Sequence, residues 1–439
     1  MTEELFARTP IPKAYMTLAL PVVMSMVVQL VYNMADTFFI ALTGDTALIA
    51  GVSVCTPLFT LMLAFGDLFG LGGSSVIARL FGAGRKADGK RLSIFCFYGA
   101  IAFGLFAAIV LLALREPMLA LLGAEGEVTP HAAAYYSWFM AGAAFVIFSL
   151  VPTNLLRTAG CPQISMNVSI LGAVVNIILD PVLIFGLELG AAGAALATVI
   201  GYICSDIYAV CYIRRHCAEL SLDLSAFSID RREIQAIVSI GLAAAVTNFT
   251  QTLGIAMTNR SLLPYGSDGL AVMGIVMKII MIVALVVVGL AFGGQPLIGY
   301  TYGAKNKARM KAVIAFALKA VVGTSLGLAV MLALFAEEVM QIFLQQPALI
   351  DQGVTMLYWQ LPAIVFMGIG LVLICTFQAT GKSLPSLLLS LCRQGIVYGL
   401  MLIILPLWFG YTGVIAAQLA ADIVTVLIAI GLYRIYLSR

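Results

Sequence analysis

The stretch from Asn176 to Gly186, NIILDPVLIFG, lies in an apolar run yet carries a carboxylate, Asp180, followed by Pro181. Asn176 stands four residues before Asp180, so on a helix the two side chains share a face. Pro181 lacks an N–H and leaves the carbonyl of Ile177 without its helical donor. Oxygen acceptors are thereby gathered at one level of one helix. With helices laid out at ~1.5 Å per residue, Asp36 and Thr198 fall at the same level as Asp180, each roughly 10–12 Å below the same membrane surface. Two neighbouring carboxylates cannot both be ionised cheaply, so either one holds a proton or a cation lies between them. Carboxylate, amide, hydroxyl and main-chain oxygens are hard ligands that suit H⁺ or Na⁺. A plainer role for Asp180 is to bond the backbone exposed at the proline.

The elements that must hold these groups are membrane helices. Of the 439 residues, 62% are hydrophobic and only 10% charged, against about 25% charged in a soluble domain. A crossing helix takes about 20 apolar residues. Breaking the chain at Gly, Pro and charge clusters gives twelve spans, near 14–42, 47–80, 92–114, 133–155, 162–187, 190–213, 234–263, 269–301, 312–335, 354–378, 384–408 and 411–433. Basic residues cluster between spans two and three (Arg85, Lys86), six and seven (Arg214, Arg215) and eight and nine (Lys305, Lys307), while Glu125, Glu127, Glu337 and Glu338 lie in alternate loops. Retention of cations on the cytoplasmic side then puts both termini there. A net charge of +3 is too small to argue for nucleic acid. The eight cysteines read as small core hydrophobes, with no CxxC pair. No HExxH, GxSxG or Walker lysine is present, so the sequence offers an enzyme no chemistry. The acidic start, MTEELFARTPIPKAYM, argues against a removable signal peptide.

An internal repeat organises the spans. GGSSVIARLFGAGRKADGK from Gly72 matches GGQPLIGYTYGAKNKARMK from Gly293 at a shift of 221, which also lays Gly160 on Gly381; a shift of 220 lays Gly193 on Gly413. The expected fold is an all-α polytopic membrane protein, twelve transmembrane helices in two six-helix lobes related by a pseudo-two-fold axis along the membrane normal. The N-lobe covers residues 1–213, the polar stretch 214–233 is a cytoplasmic inter-lobe linker, and the C-lobe covers 234–439. A parallel duplication of this size points to a transporter.

Ionisable residues at bilayer depth are functional candidates by default. Besides Asp36 and Asp180 these are Asp67 and Asp206, expected to bond Gly-rich backbone or pair with Arg79 or Arg214. Lys278 and Asp422 could be buried partners or line a cavity, and Arg393 and Lys319 stand near enough to the cytoplasm to snorkel.

YNMADTFFIAL in span one, GGSSVIARLFGAG in span two, NLLRTAGCPQ, and NIILDPVLIFGLELGAAGAALAT together resemble the multidrug and toxic compound extrusion (MATE) family, in its DinF-like and MepA-like branch, over the whole chain. The resemblance implies a V-shaped pair of lobes in a bacterial cytoplasmic (inner) membrane. It further implies a cofactor-free antiporter, working as a monomer, that exports small cationic, partly apolar compounds for H⁺ or Na⁺. The family's acidic site carries over onto Asp36, Asn176, Asp180 and Thr198, where Na⁺ could sit, with the main chain of Ala194 as a further ligand. Gln29, Tyr32 and Asn154 fall at polar cavity positions. The NorM-like branch carries acids in spans seven and ten, but here span seven has Gln251 near the expected acid and span ten has none. Coupling is therefore expected in the N-lobe. The alternative is a flippase for a lipid-linked precursor, a related class that needs several basic cavity residues.

Overall fold

The computed structural model describes residues 3–437, without the side chains of 267 and 268; the outermost residues of the expected N- and C-lobes, 1–2 and 438–439, lie outside the described residues. The chain is helical throughout: α1 (Ile11–Leu42), α2 (Thr46–Val54), α3 (Thr56–Gly82), α4 (Lys86–Ala113), α5 (Arg115–Leu122), α6 (Val128–Ala141), α7 (Ala143–Thr158), α8 (Pro162–Pro181), α9 (Gly190–His216), α10 (Arg231–Leu262), α11 (Ser267–Gly293), α12 (Gln295–Gly303), α13 (Lys307–Leu334), α14 (Ala336–Phe343), α15 (Pro347–Ala379), α16 (Ser383–Leu391) and α17 (Val397–Tyr436).

Twelve crossings account for these elements. Among the described residues, ten apolar stretches are long enough to span alone, and α6 with α7 forms an eleventh that bends by 50°. The last stretch, Ser383–Tyr436, has 54 residues. At ~1.5 Å each this is about 80 Å, far more than a ~30 Å hydrocarbon core requires. It is divided at Gly410, whose φ of 56° and ψ of −131° leave the helical region. Three spans break where the sequence suggests continuity, one of them span four, at Gly142 between α6 and α7. Span two divides at Cys55 and span eight at Gly294, each two residues before a proline, Pro57 and Pro296, whose missing N–H interrupts the ladder.

The repeat extends to element limits and backbone angles. Lys86 and Ala113, the ends of α4, correspond at 221 residues to Lys307 and Leu334, the ends of α13; α5 corresponds in the same way to α14. Left-handed φ recurs at matched turns: 75° at Gly84 and 55° at Lys305, 81° at Gly160 and 78° at Gly381, 53° at Gly190 and 56° at Gly410.

The chain folds into two compact units. One holds Met1–Arg8, Met24–Ala245 and Gly303–Lys305, the other Thr9–Val23, Val246–Tyr302 and Asn306–Arg439. In the first, α7 packs against α3, α4 and α9, and α8 lies along α9. In the second, α15 is central, against α11, α13 and α17. It is apolar on nearly every side from Leu361 onward, as a helix surrounded by others must be. The first half of α1 belongs to this second unit, where the buried Tyr15 hydroxyl donates to the Leu290 carbonyl at 2.7 Å and its ring meets Phe316 edge-on. Packing therefore departs from chain order within α1.

Candidate functional site

In the first unit, α1, α8 and α9 bring together the acidic groups singled out by depth. Asp180 is fully buried, with Asn176 2% and Thr198 3% exposed. The Asn176 amide nitrogen donates to Asp180 Oδ1 at 3.4 Å and to Thr198 Oγ1 at 3.3 Å, so one amide ties α8 to α9. The Tyr32 hydroxyl lies near the Thr198 side chain, and Asp36, one turn further along α1, lies within electrostatic reach of Asp180, Tyr32 and Tyr135. Ala194 is buried one turn before Thr198. Three oxygens of this cluster, Asp36 Oδ1, Asn176 Oδ1 and Asp180 Oδ2, are buried with no donor. A buried acceptor without a partner costs about 1–3 kcal/mol, more when charged.

Local sequence produces this arrangement. Residues 162–181 wind as an α-helix up to Pro181, and the next five, Val182–Gly186, wind as a π-helix closed by the Leu187 N–H on the Val182 carbonyl at 2.9 Å. The proline thus ends regular α geometry one residue after Asp180. Such π turns often accompany functional sites.

The remaining candidates are placed differently. Gln29 and Tyr32 are partly buried on α1. Asn154 is 4% exposed and its amide is already used: the nitrogen donates to the Leu150 carbonyl at 2.7 Å, and the oxygen accepts from Arg157. Gln251 is exposed on α10, in the second unit. Among the described residues no three His, Cys, Asp or Glu side chains converge, so a cation at the acidic cluster would meet two carboxylates and otherwise neutral oxygens.

Several ionisable groups depart from expectation. Asp206 is 5% exposed and neither carboxylate oxygen has a partner, so the expected pairing with Arg79 or Arg214 does not form. It follows Thr198 and Tyr202 on one face of α9 at four-residue steps, a polar stripe leading from the acidic cluster toward the helix's C-terminal end. Arg393 does not snorkel. It is 5% exposed inside a π-helical turn, Cys392–Ile396, within electrostatic reach of Asp422, with its Nη1 unpartnered. Asp422, 2% exposed, accepts from Gln418 at 2.9 Å through Oδ2, while its Oδ1 and the Thr425 hydroxyl have no partner. Lys278 and Lys319 are exposed. Asp206 is visible in the sequence as an acid in an apolar run, but its isolation depends on neighbours from other helices.

The MatE family model matches the chain twice, over residues 21–182 and 243–404. The chain belongs to the MatE family. It is a transporter and not an enzyme, and the two matches fall on the two copies of the repeat. The multidrug export protein MepA of Staphylococcus aureus (strain MRSA252) is 30% identical over 439 residues, covering 99% of this MatE chain and 95% of that protein. MepA of Staphylococcus saprophyticus is 28% identical over 434 residues, with the same coverage. Among solved structures, a MOP superfamily transporter from Pyrococcus furiosus superposes with a TM-score of 0.92 at 24% identity, covering 99% of this chain and 97% of its own. A MATE protein in its straight conformation gives 0.92 at 23% identity, with the same coverage. These structures share the MatE fold.

The two MatE copies differ at the acidic cluster. At the 221-residue shift of the repeat, Asp36 falls on Met257, Asn176 on Val397 and Asp180 on Met401, all apolar. Thr258 and Tyr398, one position beyond two of these counterparts, are hydrogen-bonded to each other.

Proposed function

We propose that the protein is a secondary active multidrug exporter that exchanges cationic, partly apolar organic compounds for H⁺ or Na⁺ at Asp36, Asn176, Asp180 and Thr198. The observation that carries this reading is the convergence of three buried, donorless oxygens from Asp36, Asn176 and Asp180. A proton supplies the missing donor to a carboxylate, and Na⁺ supplies a positive centre for all three. When both acids are neutralised, a cationic substrate loses its electrostatic partner; when they are bare, the substrate gains one. Competition for one negative site produces exchange without a covalent step.

Each group has a part in this cycle. Asp36 and Asp180 take the coupling ion, Asn176 holds Asp180 and Thr198 in register, and the Ala194 carbonyl is a further oxygen. Gln29, Tyr32, Asn154 and Gln251 are proposed to contact the substrate. For Asn154 this requires release of its present bonds to Leu150 and Arg157. The likeness to the staphylococcal multidrug export proteins supports drug export. We place the chain in a bacterial cytoplasmic membrane as a monomer, with both termini inside. Its N-lobe covers 1–213, its linker 214–233 and its C-lobe 234–439.

A lipid-linked precursor flippase would need several free cations facing its substrate. The burial of Arg393 beside Asp422 speaks against that alternative. Efflux of a fluorescent organic cation from vesicles, with pH and Na⁺ gradients imposed separately, tests the proposal. One gradient should drive efflux; failure of both would reject antiport.

A further inference from the structure

Two of the cysteines expected to be inert packing residues meet near the end of α9. Cys161 lies in the turn between α7 and α8, and Cys217 caps the C-terminal end of α9. They are 8% and 6% exposed. The Cys217 and Cys161 thiols lie within hydrogen-bonding reach of each other, and the Tyr212 hydroxyl donates to Cys161 Sγ at 4.0 Å. The Cys217 hydrogen bond is the main cause that holds the Cys161 thiol below its ordinary pKa, against burial, with Tyr212 adding to it. The same bond keeps Cys217 protonated. Cys161 thus has the character of an attacking thiolate and Cys217 that of a second thiol waiting beside it.

Access and freedom of movement fit that division. Cys217 lines an open cavity of about 650 Å³ together with Lys90, Arg214, Arg215 and His216, which gives small aqueous reagents a path to the pair. Both cysteines stand at helix ends, where a sulfur can shift without breaking a helical ladder.

We propose that Cys161 and Cys217 form an oxidation site that closes to a reversible disulfide. The Cys161 thiolate attacks hydrogen peroxide; an S–O bond forms, the O–O bond breaks and hydroxide leaves, giving a sulfenic acid. Cys217 then attacks that sulfur, the S–S bond forms, the S–O bond breaks, and water departs with the Cys217 proton. Two thiols are oxidised by two electrons and peroxide is reduced to water. A small intracellular dithiol reverses the step by exchange. The resting dithiol state rests on the proposed orientation, since the cytosol keeps thiols reduced and its disulfides are transient. The bond would tie the turn between α7 and α8 to the start of the polar connection that leads into α10.

The test uses the purified full-length protein treated with peroxide, alkylated, digested and mapped by mass spectrometry, and does not depend on transport. Wild type should yield a Cys161–Cys217 peptide that dithiothreitol removes. Cys217→Ser should accumulate a dimedone adduct on Cys161 roughly tenfold or more above that in wild type, because no second thiol remains to displace the sulfenic oxygen. Absence of the cross-linked peptide at peroxide doses that oxidise glutathione in the same tube would overturn the proposal, as would equal dimedone trapping on Cys161 in wild type and Cys217→Ser. Failure of drug efflux alone would count against the transport reading and leave this one standing.

Discussion

Asp180 and Asp36 show what one carboxylate oxygen does at bilayer depth. Each has a buried oxygen without a donor, so replacing either acid by Asn removes the titrating group while nearly preserving its shape. Asp36→Asn and Asp180→Asn should each abolish ion-coupled efflux and leave melting temperature unchanged or higher, because the cost of the open oxygen, about 1–3 kcal/mol, is reduced. Wild-type pumping by both variants would remove the coupling site from this cluster. Gln251→Ala should alter substrate affinity at most, with ion dependence kept, as measured by drug binding and efflux on the same preparation. At this scale the sequence is informative where a polar residue interrupts an apolar run, which is why Asn176, Asp180 and Thr198 can be grouped before any contact is known. Arg393 and Asp422 are harder to interpret. They are 29 positions apart, and nothing local says that Arg393 turns into the protein instead of reaching for water.

A helix can also be weakened where function needs it. After Pro181 the chain changes from α to π winding, which leaves Ile177 without its usual donor one turn before the break. Pro181→Ala should restore α winding and hold or raise thermal stability. The gain is at most about 3 kcal/mol, the Ala–Pro difference in a helix interior. Drug efflux should nevertheless fall, because the open carbonyl and the bend disappear together. A variant that melts earlier and pumps normally would assign the proline to packing alone. Most helix limits are legible from Gly, Pro and charge clusters. The divisions at Cys55 and Gly294 are not, because each sits inside an apolar stretch long enough to pass as one crossing, and the proline that ends the ladder comes two residues later.

The molecule is a duplication whose copies have diverged in where they keep charge. At 221 and 220 residues, Arg393 corresponds to Gly172 and Ala421 to Gly201. In the first copy those glycines allow a close backbone approach: a Cβ on Gly201 would stand 2.7 Å from the Gly172 carbonyl oxygen. The second copy has a guanidinium at this junction instead, with the carboxylate of Asp422 next to Ala421. Asp422→Asn alone should cost about 3 kcal/mol or more, since it leaves Arg393 buried without its opposite charge, whereas Arg393→Leu with Asp422→Leu should be nearly neutral. Thermal melts of the single and double variants check the pair. Efflux by the double variant should keep its ion dependence, because coupling belongs to the other copy; loss of that dependence with binding intact would place a second coupling group here. Tandem glycine motifs make the duplication legible in the sequence, while the unit limits are not, because connectivity does not reveal that Thr9–Val23 packs with the second unit.

That early segment gives synthesis an unusual order. Tyr15 is made 275 residues ahead of Leu290, whose carbonyl it donates to. At 5–20 residues per second, the partner follows about 15–55 s later. Throughout that interval the beginning of α1 has only its own apolar surface to hold it in lipid. A segment made before most of the first unit thus finds its place only when the second unit arrives.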